Sequence, residues 1–278
     1  MYSYVLLINT RDEQELVHKI TGVISKCGLN IINNNEFVEK ERKRFFMRSE
    51  IVGKFDKEKL LEELKKVLSE KAEVKLVENK KKRIVVLATK EHHCLGDLLL
   101  RESYDEINAE IVAVLANHND LKPLVDKFDK PFYCVSTENK EKHAQEKEVL
   151  DIIEKYNPDY VILAKYMRIL SPDFVEHLKD RIINIHHSFL PAFIGANPYK
   201  KAFIRGVKII GATAHFVSDD LDDGPIITQE VISINHEYSA DDMKKAGREA
   251  EKAALAKALK LVFEEKVFIS GNKTIVLG

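Results

Sequence analysis

Two short segments of the sequence carry the side chains with the clearest chemical potential. One spans residues 184–191 (NIHHSFLP) and the other spans residues 215–225 (HFVSDDLDDGP). Each begins in an apolar run and ends in polar, turn-forming residues. On an extended strand Asn184 and His186 are two positions apart, so their side chains face the same side. An amide and an imidazole would then point into one space.

These residue types suit attack on a carbonyl group. An Asn amide donates to a developing oxyanion, and a protonated His donates as well. Asp222, in a Leu-Asp-x-Gly-Pro turn, could approach His186 and favour the imidazolium by charge pairing. Because this set of an amide, an imidazole and a carboxylate includes no serine or cysteine nucleophile, we expect direct attack by water or an amine. The alternative is purely structural, because Asn and Asp also serve as turn residues.

The elements that would position these residues indicate an α/β fold. Residues 81–278 alternate apolar strands with helices, which predicts a doubly wound, Rossmann-like sheet with chemistry at the carboxyl ends of its strands. The predicted strands are 84–88, 110–115, 132–135, 160–164, 182–187, 209–217 and 226–232. The predicted helices are 97–107, 121–128, 140–156, 173–179, 199–205 and a long final one that Ser239 caps, followed by a hairpin at residues 268–276.

Residues 1–80 form a separate predicted domain. A charged run at residues 78–83 (ENKKKR) separates apolar strand-like segments and marks the boundary with residues 81–278. Before it, strands at 4–8, 30–37, 44–52 and 73–78 and helices at 12–27 and 60–68 give the order βαββαβ, which is typical of a ferredoxin-like fold. A module this small leaves sheet edges exposed, so pairing with a second copy is expected.

Composition limits the classes of function. The 278 residues are 45% hydrophobic, and 44 Lys and Arg balance 45 Asp and Glu. This is globular composition, and the absence of positive excess argues against general nucleic-acid or anionic-membrane binding. The longest clean apolar run, residues 111–116, is too short to span a membrane. Because charged residues follow the first apolar run, no signal peptide is predicted, and we expect a cytoplasmic protein.

Neither a disulfide framework nor a metal site is predicted. The three cysteines, Cys27, Cys94 and Cys134, are far apart, and no zinc-ligand spacing is present. Cys94 is expected to be a small buried residue. His92, His93 and His187 would lie near the predicted cleft, and so would Lys90 and Lys165. The two lysines would guide an anionic substrate tail or product, or would simply be solvated.

Several motifs together resemble the folate-dependent formyltransferase superfamily. They are residues 163–172 (LAKYMRILSP), Asn184-Ile185-His186, Ser188-x-Leu190-Pro191 and Leu221-Asp222-x-Gly224-Pro225. The resemblance implies that Asn184, His186 and Asp222 act on the formyl group of 10-formyltetrahydrofolate. It implies no cofactor other than the folate itself, which is substrate and product. It also places the pterin against Met167, Arg168, Ile169, Leu170, Val175, Ser218 and Leu221, of which the apolar members would otherwise be core.

The residues after the first strand of this domain separate the branches of the superfamily. Enzymes that formylate glycinamide ribonucleotide (GAR) cradle its phosphate in a Gly-rich loop. Here residues 89–97 (TKEHHCLGD) contain one glycine, bulky side chains and acids, which make a poor phosphate cradle. With residues 186–199 and the N-terminal domain, this closely resembles the formyltetrahydrofolate deformylase family. That resemblance implies hydrolysis to tetrahydrofolate and formate, which supplies formate for purine synthesis and balances the one-carbon pool.

The first 75 or so residues resemble the ACT family of small-molecule-sensing domains. The glycine usual at the first strand–helix turn is absent from residues 10–15 (TRDEQE). An amino-acid effector is therefore left open, and homo-oligomerisation is the main expected role.

Three alternatives are weighed against hydrolysis. A Rossmann dehydrogenase is disfavoured because no GxGxxG follows a strand. A non-enzymatic amino-acid sensor is disfavoured because Asn184, His186 and Asp222 are all present. Formyl transfer to GAR or another amine is the nearest rival.

Overall fold

The computed structural model describes residues 3–192, 198–220 and 222–278, which form two compact units. The first contains the chain up to Lys80 together with residues 264–268 and 275–278, and the second contains residues 81–263 and 269–274. The C-terminal segment thus returns to the first unit, which the predicted division into 1–80 and 81–278 did not include. Arg48 explains part of this return, because its buried guanidinium donates to the carbonyl oxygens of Glu264 and Glu265.

The first unit is a four-stranded antiparallel sheet with two helices. Its strand order is β2-β3-β1-β4. The helices bury Leu16, Ile20 and Ile24 from one and Leu60 and Leu64 from the other against the sheet. The elements are β1 (Ser3–Arg11), α1 (Leu16–Lys26), β2 (Asn30–Glu39), β3 (Arg44–Val52), α2 (Lys57–Val67) and β4 (Glu73–Glu78).

The second unit is built on a seven-stranded sheet of order β11-β10-β9-β8-β5-β6-β7. Strands β5 to β9 are parallel, whereas β10 runs antiparallel to both β9 and β11. The elements are β5 (Lys82–Ala88), α3 (His93–Ser103), β6 (Ala109–Ala116), α4 (Lys122–Val125), a 3-10 turn (Asp126–Phe128), β7 (Phe132–Cys134), α5 (Lys142–Tyr156), β8 (Tyr160–Leu163), α6 (Pro172–His177), β9 (Ile182–His186), α7 (Pro198–Arg205), β10 (Ile209–Phe216), β11 (Ile226–Ser233) and α8 (Ala240–Phe263).

The sheet of the second unit contains both parallel and antiparallel strands, a detail that the predicted doubly wound fold did not specify. The connection from β10 to β11 is too short for the crossover that parallel neighbours require, so these two strands form a hairpin. The direction of winding reverses between β5 and β8, because β6 and β7 lie on one side of β5 and the later strands on the other. Ligands bind beyond the carboxyl ends of strands at such a reversal.

Side-chain caps define the starts of two helices, of which the Ser239 cap of the final helix was predicted. Ser171 caps α6 by accepting from the amide of Phe174, with Pro172 as the first helical residue. Ser239 and Asp242 form reciprocal hydrogen bonds at the start of α8. Helix α3 begins at His93, four residues earlier than predicted, so His93 and Cys94 belong to its first turn.

The predicted C-terminal hairpin consists of β12 (Val267–Ser270) and β13 (Lys273–Val276). Its turn contains Gly271 in the left-handed region, at a φ of 61°. Across the described residues, no helix is both long and apolar enough to cross a membrane.

Candidate active site

A cavity of about 980 Å³ lies in the second unit at the point where the sheet winding reverses. The residues that follow β5, β8, β9 and β10 all contribute to its lining. Two of these loops are tied together, because the Thr89 hydroxyl accepts from the amide of Met167 at 3.0 Å. The sheet therefore brings side chains distant in sequence to one space.

His186 and Asp222 form the central pair of this site. His186 Nδ1 lies 3.1 Å from Asp222 Oδ1, and both side chains are largely buried. Since a carboxylate accepts, Nδ1 carries the hydrogen. The other ring nitrogen, Nε2, is buried and has no hydrogen-bond partner among the described residues. One side of the imidazole is thus held by Asp222, and the other is left for a molecule in the cavity.

The loop that carries Asp222 is fixed by its backbone. Asp222 has a φ of 57°, in the left-handed region that Asp tolerates better than most residues. Two residues later, a Cβ added at Gly224 would overlap the carbonyl oxygen of Phe216. The amide of Phe216 in turn donates to the carbonyl of Pro225. The Asp-x-Gly-Pro sequence is therefore needed for this tight return of the chain.

Asn184 lies on the same strand as His186 and directly opposite His215 of β10. Its Nδ2 is 3.1 Å from Nε2 of His215. Nδ1 of His215 lies 2.8 Å from the carbonyl oxygen of Phe216, which can only accept, so Nδ1 carries the hydrogen and Nε2 accepts from Asn184. His215 thereby orients the amide.

No role was predicted for His215, although it begins the second polar segment. The signal that could have found it is strand register. On antiparallel neighbours, residues directly opposite each other are in contact. Register between two strands distant in sequence is not visible in one sequence alone.

Burial and neighbouring charges set the ionisation of these groups. Burial raises the pKa of Asp222, but the hydrogen bond and charge of His186 outweigh this and hold the pKa below its usual 3.8. Burial lowers the pKa of His215, which suits its role as a neutral acceptor. The pKa of His187 is lowered to about 4 by burial, with further contributions from the charges of Lys165 and His186.

The side chains proposed to hold a pterin lie on the same cavity. Met167 and Ile169 are about 60% exposed, so their apolar surface is available to a ligand. Leu170 packs against the hydrophobic core and Val175 is buried. These two residues therefore both line the cavity and contribute to the packed interior. Arg168 and Ser218 complete the described part of this wall, whereas Leu221 lies outside the described residues. The part of the predicted motif at residues 193–197 also lies outside them.

The loop after β5 presents an acid to the cavity where a phosphate cradle would need amide groups. Glu91 lines the cavity, and its carboxylate lies 3.6 Å from Lys244 Nζ and 3.9 Å from Arg248 Nε. Glu91 therefore offsets part of the positive charge of these two side chains. Lys90 on the same loop is exposed, and Lys165 is buried rather than solvated.

Three potential metal ligands meet nearby, although no metal site was predicted. Atoms of His93, Cys94 and Glu251 all lie within 4.8 Å of one another. However, Lys165 Nζ is 3.3 Å from the same Glu251 oxygen that His93 contacts, and it supplies the positive charge that a metal ion would bring. Burial raises the pKa of the Cys94 thiol, which disfavours the thiolate that binds metals. The donor set therefore fits an ion-pair cluster better than a metal centre.

Known proteins resemble both the second unit and the chain as a whole. Residues 82–259 match the model of the formyl transferase family. These residues, which make up most of the second unit, thus belong to the formyl transferase family. A glycinamide ribonucleotide transformylase from Symbiobacterium toebii is 26% identical, with a TM-score of 0.68 over 71% of this chain and 95% of that one.

The relatives that match the whole chain are more specific. A formyltetrahydrofolate deformylase from Haemophilus influenzae is 50% identical over 98% of both chains. The crystal structure of a formyltetrahydrofolate deformylase from Pseudomonas syringae is 37% identical, with a TM-score of 0.95 over 99% of this chain and 94% of that one. The chain belongs to the formyltetrahydrofolate deformylase family.

Proposed function

We propose that this protein hydrolyses 10-formyltetrahydrofolate to tetrahydrofolate and formate, with Asn184, His186 and Asp222 as its catalytic residues. The observation that carries the proposal is the meeting of an amide, an imidazole and a carboxylate on one cavity. Ser218, a hydroxyl of the same lining, donates to the carbonyl of Asp220 in its own loop, so its proton is not directed at the imidazole of His186. Direct attack by water therefore suits the site better than a covalent intermediate.

The proposed reaction begins with polarisation of the formyl carbonyl. The Nδ2 hydrogen of Asn184 not used by His215 and the protonated Nε2 of His186 donate to the formyl oxygen. Asp222 holds Nδ1 of His186 and stabilises the positive charge on the ring as it donates to the formyl oxygen. Water adds to the formyl carbon as Asp222 accepts its proton, and a tetrahedral oxyanion forms between the two donors.

Collapse of this intermediate completes the balance of the reaction. The bond between the formyl carbon and N10 breaks, N10 takes the proton that Asp222 accepted from water, and formic acid leaves and ionises to formate. These steps use the side chains, the folate and water, with no cofactor or metal. In this arrangement the flat pterin lies against Met167, Arg168, Ile169, Leu170, Val175 and Ser218, and Leu221 remains a sequence-based member of the same wall.

Formyl transfer to GAR or another amine is the competing function. The loop after β5 has Glu91 in the cavity lining and no run of glycines, so it offers no backbone cradle for the phosphate of an acceptor. The two are separated by supplying 10-formyltetrahydrofolate to the purified enzyme with and without GAR. Formate released at the same rate in both reactions supports hydrolysis. Strict dependence on GAR, with formylated GAR as the product, would overturn the proposal.

We also propose that the first unit is an ACT-like, ferredoxin-like domain that mediates homo-oligomerisation. Its support is the element order βαββαβ and the long edge strand β2, on which Ile32 and Phe37 are exposed. An amino-acid effector at this unit stays part of the proposal. Sedimentation of the full chain, and of an Ile32→Lys variant, tests the assembly. Calorimetric titration of the full chain with glycine and with methionine tests the effector.

Two further predictions extend the biological role. Formate release supplies purine synthesis, and the returned tetrahydrofolate balances the one-carbon pool. The cytoplasmic location expected from the sequence stays a prediction.

A further inference from the structure

A buried cluster of polar side chains, which we call the Glu251 cluster, also contributes to the cavity. Glu251 of α8 is 1% exposed. Its Oε2 lies 2.7 Å from Nε2 of His93 and 3.3 Å from Nζ of Lys165, and its Oε1 accepts from Tyr199 Oη at 2.7 Å. Burial raises the pKa of Glu251, but His93, Lys165 and Tyr199 outweigh it and lower the pKa to about 2. Glu251 therefore carries a negative charge that its three neighbours stabilise.

Lys165 adopts an unusual backbone conformation to take part in this cluster. It lies two residues after the end of β8, has a φ of 64°, and is only 6% exposed. A lysine in the left-handed region is uncommon, and such strain persists only where the surroundings enforce it. Burial of its charge is likewise unfavourable without a partner, which Glu251 supplies. Observed strain of this kind is a reason to look for a function.

Helix α8 also contains an unfavourable residue that allows the same cluster to form. Gly247 lies one turn before Glu251, within the helix, where glycine is unfavourable. A Cβ at this position would overlap the ring and hydroxyl of Tyr199. Glycine thus lets the Tyr199 ring lie against the helix and reach Glu251. The positive φ of Lys165 and the glycine within α8 are both unfavourable for the backbone, and both allow Lys165 and Tyr199 to reach the cavity wall.

The Glu251 cluster adjoins the catalytic residues through His187. The ring of His187 is stacked on that of His186, with centroids 5.1 Å apart and planes at 18°. On its other side it lies 6.3 Å from the ring of Tyr199. The same cavity is lined by the pterin wall, the catalytic residues and three members of the cluster, Lys165, Tyr199 and Glu251.

We propose that Lys165 and Tyr199, held in place by Glu251, are specificity-determining residues that fill the side of the cavity where an amine acceptor would approach the formyl group. The inference rests on the proposed hydrolysis and names the side chains that enforce it. Both side chains are bulky, and the compensated charge of Lys165 offers little attraction to an acceptor's phosphate. Water, which needs far less room, still reaches the formyl carbon.

The test is the partition of the formyl group between water and an added amine. We would supply 10-formyltetrahydrofolate with increasing hydroxylamine or glycinamide, and quantify formate and the formylated amine by mass spectrometry against an enzyme-free blank. The wild-type enzyme should give formate alone above the blank. Lys165→Gly, whose glycine accepts the observed φ, should yield at least about 10-fold more formylated amine.

Matched variants separate bulk, charge and backbone strain. Lys43 is also a lysine in the left-handed region, at a φ of 51°, but it is exposed on the turn after β2. Lys43→Gly should therefore leave the product ratio at the wild-type value. Lys165→Met keeps most of the bulk without the charge, so its ratio of formylated amine to formate should stay close to that of the wild type. If Lys165→Gly fails to fold, as judged by thermal melting, Tyr199→Ala opens the same wall from α7.

Clear outcomes would overturn the proposal. A folded Lys165→Gly enzyme that still gives only formate at every amine concentration would contradict it. Loss of both products in that variant would show that Lys165 serves the reaction itself, and transfer by Lys165→Met equal to that by Lys165→Gly would show that bulk is not the determinant. Failure of the proposed hydrolysis is recognised separately, as a wild-type enzyme that releases no formate unless an amine is present.

Discussion

Nδ2 of Asn184 lies 3.1 Å from Nε2 of His215, and the tautomer of His215 is fixed by its contact with a backbone carbonyl. One of the two amide hydrogens is thereby engaged, and in the proposed reaction the other donates to the formyl oxygen. We predict that Asn184→Ala lowers kcat about 10²–10³-fold, the usual effect of losing one oxyanion donor.

His215→Phe tests the positioning role, because it removes the acceptor and keeps a buried ring. We expect a smaller decrease in kcat than for Asn184→Ala and little change in KM. The double variant should be no slower than Asn184→Ala alone, since His215 acts through Asn184. Formate release gives the rates, and thermal melting checks the fold. Fully additive effects in the double variant would contradict the role.

Asp222→Asn should lower kcat at least about 10²-fold, because the amide cannot accept the proton of water or stabilise a charged His186. Asp219→Asn is the matched control, since Asp219 lies on the same loop and the same cavity but is exposed. It should keep kcat within a few-fold of wild type. Equal rates for Asp222→Asn and wild type would remove Asp222 from the mechanism.

Most of the fold could be predicted from local patterns in the sequence, whereas the site could be predicted only in part. Apolar runs and helical stripes indicated the strands and most helices because burial imposes those periodicities. The position of the α3 start and the antiparallel β10 depend on tertiary contacts, which local pattern does not encode. Asn184 and His186 could be paired from their spacing on one strand. Glu251 and Tyr199 could not, since only the packing of α8 and α7 brings them to Lys165.

Gly247→Ala is predicted to destabilise the protein, against the usual preference for Ala in helices. A Gly-to-Ala change inside a helix normally stabilises by about 1 kcal/mol. Here the added methyl group would displace Tyr199 and break its hydrogen bond to Glu251. The free energy of unfolding, measured with urea, should fall by at least about 1 kcal/mol.

Gly96→Ala provides the comparison for this prediction within the same unit. Gly96 lies in α3, and its added Cβ would meet only Leu124 Cδ2 at 3.7 Å, an ordinary contact. This variant should be as stable as wild type or more so. A stabilising effect in both variants would show that Tyr199 does not need the glycine.

His187 should make the stability of the catalytic unit depend on pH in the weakly acidic range. Its pKa is about 4 in the folded protein, against an ordinary value of 6.5. Between these two values the unfolded chain binds a proton that the folded chain does not. The stabilising contribution is therefore complete above pH 6.5 and decreases as the pH falls toward 4. Between about pH 7.5 and about pH 5 this amounts to about 2 kcal/mol.

His187→Gln removes the titrating group and should remove that part of the pH dependence. The free energy of unfolding in urea would be measured at both pH values for wild type and variant, and the variant should lose about 2 kcal/mol less on acidification. His215, whose pKa is also lowered, contributes equally to both proteins and cancels in the comparison. The pKa values of Glu251 and Asp222 are lowered from 4.5 and 3.8, so their contributions change only below this range. His143→Gln, at an exposed position of α5, should behave as wild type, and identical pH dependence in the His187 variant would show that burial of His187 does not couple to folding.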